Sequence, residues 1–269
     1  MKLTTNSMFK IIFLLFFYLL FNSAYSSEQF NFDVTEIQIV DNGNKFIGYK
    51  RGIITSNNGI EIEANQFEYN KSSNILIATG NVKVNDKINN YKIFTEKMIY
   101  NKNDELIFTK KNSKGVNLND NIVITAENFE YNKNLNILSA NKNVIIIDNN
   151  NNYKLFTEFV SYNKNEEKIF TEGKTTALID TKYKFESEDV SLFRKTMELI
   201  SKKKTTITDK SNLYNLSKFK YFINKEKLVG EKILISLNHN LPENDKIYFS
   251  NGIINLKTQN FVAKDTEIR

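Results

Sequence analysis

The sequence predicts an all-β chain built from stacked repeats, and three observations carry that prediction. The stretch ITAENFEYNKNLNILSA at 124–140 restates IEANQFEYNKSSNILIA at 62–78. The unit 59–120 recurs at 121–182, so that NYKIFTE at 90–96 returns as NYKLFTE at 152–158. Asn and Lys cluster in short runs between stretches rich in Ile, Phe and Tyr, while Pro occurs once and Cys and Trp are absent. Asn-rich clusters favour turns, and β-branched and aromatic runs favour strands.

The matched blocks inside each unit resemble one another as well, which halves the period to 31 residues. Tyr69, Tyr100, Tyr131, Tyr162 and Phe193 stand at that spacing, as do Leu76, Ile107, Leu138, Ile169 and Ile200. A fixed period of this size marks units that bury their apolar faces against their neighbours.

Taken in order, Val34 to Val40 (VTEIQIV) reads as a strand ahead of the first clear repeat. Within a repeat, Ile122, Ile124 and Ala126 alternate with Val123, Thr125 and Glu127, as in a strand with one buried face. After Glu127 the apolar parity shifts to Phe129 and Tyr131. That shift predicts a bulge or corner where a strand passes from one sheet to another. Asn132 to Asn136 supplies turn chemistry, Ile137 to Ile147 returns, and DNNNN at 148–152 turns again. Lys184 to Leu192 keeps the strand pattern without the Y-N-K turn, Phe219 to Lys225 resembles it once more, and Asn251 to Ala263 reads as a final hairpin. Hairpin-sized turns with no helical stretch after residue 30 favour antiparallel pairing. The chain ends within a further strand pattern, and the expectation is a C-terminally truncated piece of a longer protein.

With 269 residues, 41% apolar and 25% charged, the chain has ample material for a core. Residues 1–26 differ from the rest. Lys2 and Lys10 precede the uncharged run IIFLLFFYLLF at 11–21, and Ala24-Tyr-Ser26 places small residues where a peptidase cleaves. This reads as a secretory signal peptide, with residues 27–269 as one exported domain. The formal charge of +6 is spread along the chain, and Lys202-Lys203-Lys204 is its longest basic run. That pattern describes a solvated surface rather than a nucleic-acid patch.

The pattern Ala64-x-x-Phe67-x-Tyr69 … Leu76-x-Ala78-Thr-Gly80-Asn-Val82 resembles the repeated motif of the OstA-like periplasmic proteins of lipopolysaccharide transport. Ala126, Tyr131, Leu138, Ala140, Asn143 and Val144 repeat it, with Asn141 and Lys142 where the first copy has Thr79 and Gly80. The resemblance covers roughly residues 30–269. It implies an open β-jellyroll, a V-shaped pair of antiparallel sheets whose inner faces shelter the lipid A acyl chains of lipopolysaccharide. The family includes a soluble bridge protein (LptA), an inner-membrane-anchored subunit (LptC) and the N-terminal domain of the outer-membrane translocon (LptD). The terminal G-I-I-N-L-K-x-x-N-F-V-A-K-D-T-E-I is most similar to the last of these, although neither its barrel nor its cysteines stand in this sequence. The partners implied are lipopolysaccharide, other periplasmic jellyroll proteins joined by β-augmentation, and an outer-membrane lipoprotein plug if a barrel follows.

On this reading the lipid-trough candidates are Phe67, Tyr69, Met98, Tyr100, Phe129, Tyr131, Val160, Tyr162 and Phe193, which equally describe a core filled between two sheets. Val34, Ile37 and Ile39 are candidates for a pairing edge, unless residues 27–32 cover it. Chemistry finds no support. Glu68 and Glu130, like Glu96 and Glu158, recur with the repeat, whereas an active site is usually unique. His239 is the one histidine and sits in a turn-like stretch. Neither a zinc set, nor a catalytic triad, nor a phosphate-cradling glycine loop is present, and no cofactor or enzyme activity is expected. A parallel β-helix that binds or cleaves an extracellular polysaccharide remains the rival, because its coils approach the same period. The Y-N-K-x-x-N-I-L joint, with a turn of about five residues between two alternating strands, distinguishes the two by predicting an antiparallel hairpin.

Overall fold

The computed structural model describes residues 30–242 and 245–268. The expected signal peptide, 1–26, lies outside them. Every strand pairing is antiparallel. The rival β-helix requires parallel coils, and its architecture is therefore absent from the described residues. Among the described residues there are 23 strands, interrupted by helical structure only at two short 3-10 turns, Asp41–Gly43 and Ile223–Lys225.

The strand Ile137–Asp148 shows the plan. Its first half pairs with Asn128–Asn132, and its second half pairs with Ile122–Ala126. Between the halves the register shifts, and Lys142 and Asn143 take positive φ values of 66° and 52°. One rung thus crosses from a first sheet into a second. In the neighbouring rung the bend falls at Glu127, between Ile122–Ala126 and Asn128–Asn132, as the parity shift predicts. Each rung joins the next by a hairpin turn, alternately at the two ends. Two rungs consume about 31 residues, so the sequence period is that of a hairpin folded over a crease. The result is a β-jellyroll of two stacked sheets.

The crease would leave backbone groups unpaired, and buried hydroxyls meet them. Thr95 donates to the Lys110 carbonyl at 3.1 Å, and Thr157 donates to that of Lys174 at 3.2 Å. Thr171 accepts the Val190 N–H at 3.0 Å, and Ser201 donates to the Glu188 carbonyl at 2.7 Å. The turns are tied by a second device. Asn103, Asn134 and Asn165 each donate from the side chain to a carbonyl in the preceding turn, 30 residues back, at 3.3, 3.5 and 3.1 Å. These ladders make neighbouring turns stack in register.

Along the sheet that carries the F-E-Y-N motif, the inner row follows from the pairing register. Ile39 opposes Phe46, then come Tyr69, Leu76, Tyr100, Ile107, Tyr131, Leu138, Tyr162 and Ile169 in successive rungs. Aromatic and aliphatic residues alternate across the strands, a favourable pairing. Beyond Ile169 the 31-residue spacing fails. Leu192 opposes Ile169, and Leu199 follows it, both 1% exposed. Phe193, expected in the trough, therefore faces outward, where the Lys168 ammonium lies 5.5 Å from its ring. The turn at 180–182, which leads into this rung, is one residue shorter than those at 87–90, 118–121 and 149–152, and a one-residue slip moves a side chain to the opposite face. Ile200 is displaced for the same reason.

Candidate functional site

The candidate site is the apolar interior between the two sheets. The F-E-Y-N sheet contributes Phe67, Tyr69, Met98, Tyr100, Phe129, Tyr131, Val160 and Tyr162, all no more than 6% exposed. The facing sheet is rich in isoleucine at its inner positions, among them Ile54, Ile62, Ile93, Ile124, Ile146 and Ile207. Aromatic rings bridge the sheets. Phe30 meets Tyr69 and Tyr100 edge-on at 5.0 and 5.8 Å, Tyr91 meets Tyr131 at 5.7 Å, and Tyr183 meets Tyr221 at 6.2 Å.

Near the crease, large and small side chains alternate from rung to rung. Phe67 opposes Ala78 and Ala78 opposes Met98, while Phe129 opposes Ala140 and Ala140 opposes Val160. Gly115 is the inward residue of its rung, and a Cβ there would lie 3.3 Å from the Phe129 ring. Beside it, a cavity among Tyr91, Ile93, Tyr131, Leu138 and Tyr162 has about 20 Å³ open to water-sized atoms. That space suits about one water. The trough is filled by its own side chains in this conformation.

Opposite the crease, the two rows of turns meet and are joined by polar side chains. Lys133 Nζ donates to the Asn58 carbonyl at 2.6 Å, and Lys164 Nζ donates to that of Asn89 at 3.0 Å. Asn58 Nδ2 donates to the Tyr100 hydroxyl at 3.1 Å, and the Tyr131 hydroxyl donates to Asp86 at 3.3 Å. Arg194 spans Asp120 and Asp148 at 3.4 and 3.1 Å. Further along, the Tyr183 hydroxyl donates to Glu226 at 2.8 Å. Burial holds Lys133 below the ordinary lysine range. Burial likewise raises the Tyr91, Tyr100, Tyr131, Tyr153 and Tyr162 hydroxyls above the usual tyrosine range. The latch is therefore repeated, non-covalent and partly shielded from water.

Sequence reasoning missed this latch. Lys133 and Lys164 were legible only as turn residues of the Y-N-K motif. The signal was their recurrence: Asn58 and Asn89 are 31 residues apart, as are the two lysines that reach them.

The ends of the trough are less covered than its middle. Of the three edge candidates, Val34 packs against the core, and its Cγ1 lies 3.3 Å from where a Cβ on Gly48 would stand. Ile37 opposes Gly48 and Ile39 opposes Phe46, which places both on the inner face, 42% and 57% exposed. The outer edge of Phe30–Val40 pairs with no strand among the described residues. At the other end, Phe261 opposes Ile254 and stacks on Phe249 at 5.3 Å while remaining 38% exposed. His239 lies in an exposed turn, with its ring Nδ1 2.9 Å from the Ser211 carbonyl.

No family model and no curated protein matches this chain. Among solved structures it is similar to LptH, the LptA-homologous periplasmic component of the lipopolysaccharide transport device from Pseudomonas aeruginosa. That similarity covers 42% of this chain and 81% of LptH, at 11% identity and a TM-score of 0.38. At that score the likeness decides nothing, and the fold rests on the register given above. No helix among the described residues is long and apolar enough to cross a membrane.

Proposed function

We propose that this chain is a periplasmic, OstA-like component of lipopolysaccharide transport, nearest in kind to the N-terminal domain of the translocon. In this reading it is a carrier rather than an enzyme. Acyl chains lie between the two sheets, and the ends of the jellyroll pair with other transport proteins of the same architecture. The carrying observation is the apolar inner face, which among the described residues runs from Ile39 to Phe261, is partly exposed at both ends, and is joined along one margin by side chains.

The energetics favour this arrangement. Each latch hydrogen bond stabilises by about 0.5–1.5 kcal/mol net. Burying a methylene contributes about 0.8 kcal/mol. One or two methylenes per broken bond offset the opening, and an acyl chain carries many more. The lipid then covers the apolar surface that the parted sheets expose.

Lipopolysaccharide carrying a photo-reactive group on an acyl chain tests the proposal. Cross-links to Tyr100 and Tyr131, read by mass spectrometry, are expected. Labelling confined to the outer faces of the sheets overturns it.

A further inference from the structure

One turn of the latch carries a reactive step in its own backbone. Asn58-Gly59 lies between the strands Lys45–Ser56 and Ile60–Ala64. An asparagine followed by glycine loses its amide readily, because no side chain on the second residue hinders its backbone nitrogen. Both residues are demanded by the fold. Gly59 has a φ of +82°, which glycine takes without strain. Asn58 holds the margin: its carbonyl accepts Lys133 Nζ at 2.6 Å, and its Nδ2 donates to the Tyr100 hydroxyl at 3.1 Å and to Glu105 at 2.5 Å.

In the reaction, the Gly59 nitrogen attacks Asn58 Cγ and forms the new C–N bond. The Cγ–Nδ2 bond breaks, and ammonia leaves with the proton that Gly59 gives up. Water then opens the resulting succinimide at either carbonyl, to aspartate or isoaspartate. In the closed margin the reacting groups are engaged. The Gly59 N–H donates to the Ser56 carbonyl at 3.2 Å, and the Ser56 hydroxyl donates to Asn58 Oδ1. Tyr100, Glu105 and Lys133 all belong to the opposite sheet, so parting the margin releases Asn58 from all three at once.

The chain has two other Asn-Gly steps, and they bracket this one. Asn42-Gly43 lies in a 3-10 turn, where Asn42 is exposed and its side chain makes no hydrogen bond among the described residues. Asn251-Gly252 lies inside the strand Lys246–Asn255, where Gly252 opposes Gly230 on one side and Ala263 on the other. The same dipeptide is therefore free at 42, held by the latch at 58 and fixed in the sheet at 251.

We infer that Asn58 is a deamidation site gated by the margin, and that its product keeps the latch from re-forming. Isoaspartate adds a methylene to the main chain and displaces the carbonyl that Lys133 holds. Either product replaces the amide donor with a carboxylate facing Glu105. This inference rests on the parting proposed above, but not on what the trough carries.

The test follows the folded full chain at neutral pH without lipid, with deamidation at 42, 58 and 251 read by peptide mass. Asn58 is expected to react at least tenfold more slowly than Asn42. Lys133→Met removes a contact to Asn58 itself, whereas Lys164→Met removes only the neighbouring latch to Asn89. Each should speed Asn58 at least fivefold and leave Asn42 and Asn251 unchanged. The isoaspartate form, separated by its added negative charge, should melt at a lower temperature. Asn58 reacting as fast as Asn42, an unchanged rate in either variant, a rise shared by Asn251 as in general unfolding, or an unchanged melting temperature each overturns the inference. Acyl cross-linking at Tyr100 and Tyr131 is a separate readout, so the two readings fail separately.

Discussion

At the scale of single residues, the tyrosines define the interior. Nine of them, at 69, 91, 100, 131, 153, 162, 183, 214 and 221, are buried, and burial raises the pKa of each. In the unfolded chain they ionise near pH 10. Above that pH the unfolded state holds fewer protons than the folded state, so stability falls as pH rises. Each tyrosine contributes about 1.4 kcal/mol per pH unit to that fall until its folded pKa is reached. The protein is therefore expected to unfold cooperatively on the alkaline side of pH 10. Phenolate absorbance at these tyrosines should rise together with the loss of the circular dichroism strand signal. Phenolate absorbance from the buried set well before the strand signal falls would contradict this.

Among the elements, the bent rung is the unit that gives the molecule its two sheets. Its hydroxyls are as necessary as its apolar residues. Thr171 both accepts the Val190 N–H and donates to the Val190 carbonyl, at 3.0 and 3.3 Å. Thr171→Val keeps the shape and removes both bonds. An unsatisfied buried amide costs about 1–3 kcal/mol, so a loss of that size is expected in urea unfolding, with the slope unchanged. A loss below about 0.5 kcal/mol would mean the crease does not need the hydroxyl.

Much of this element was legible in the sequence. Strand alternation, the parity shift at Glu127 and the Asn-rich turns each follow from backbone geometry and left a local pattern. Phe193 was misplaced because a period carried past Ile169 says nothing of a turn, 180–182, shortened by one residue, and a single residue inverts the face. The latch was hidden for a different reason. Lys133 reaches the Asn58 carbonyl across 75 residues of sequence, and only the folded register brings them together. Ile37 and Ile39 were legible as an end strand, but not as part of the inner face, because their facing depends on pairing with Gly48 and Phe46.

For the whole molecule, a crease that is covalent and a margin that is not give the jellyroll one side on which to part. The Asn ladders and crease hydroxyls hold each sheet together along the stack, while Lys133, Lys164 and Arg194 hold one sheet to the other. Opening at the turn rows therefore leaves both sheets intact. Among the described residues, Ile39 and Phe261 leave the ends of the inner face partly exposed, which is where the proposed neighbour would continue the trough.

The central claim is that lipid is admitted by parting this margin. The chain has no cysteine, so Asn89→Cys with Lys164→Cys places two unique thiols on opposite turn rows. A short bis-maleimide then staples them, and a mono-maleimide serves as the control on the same variant. Capture of acyl-labelled lipopolysaccharide at Tyr131 should fall at least tenfold in the stapled protein and persist in the control. Equal capture in the stapled and control proteins would contradict the claim.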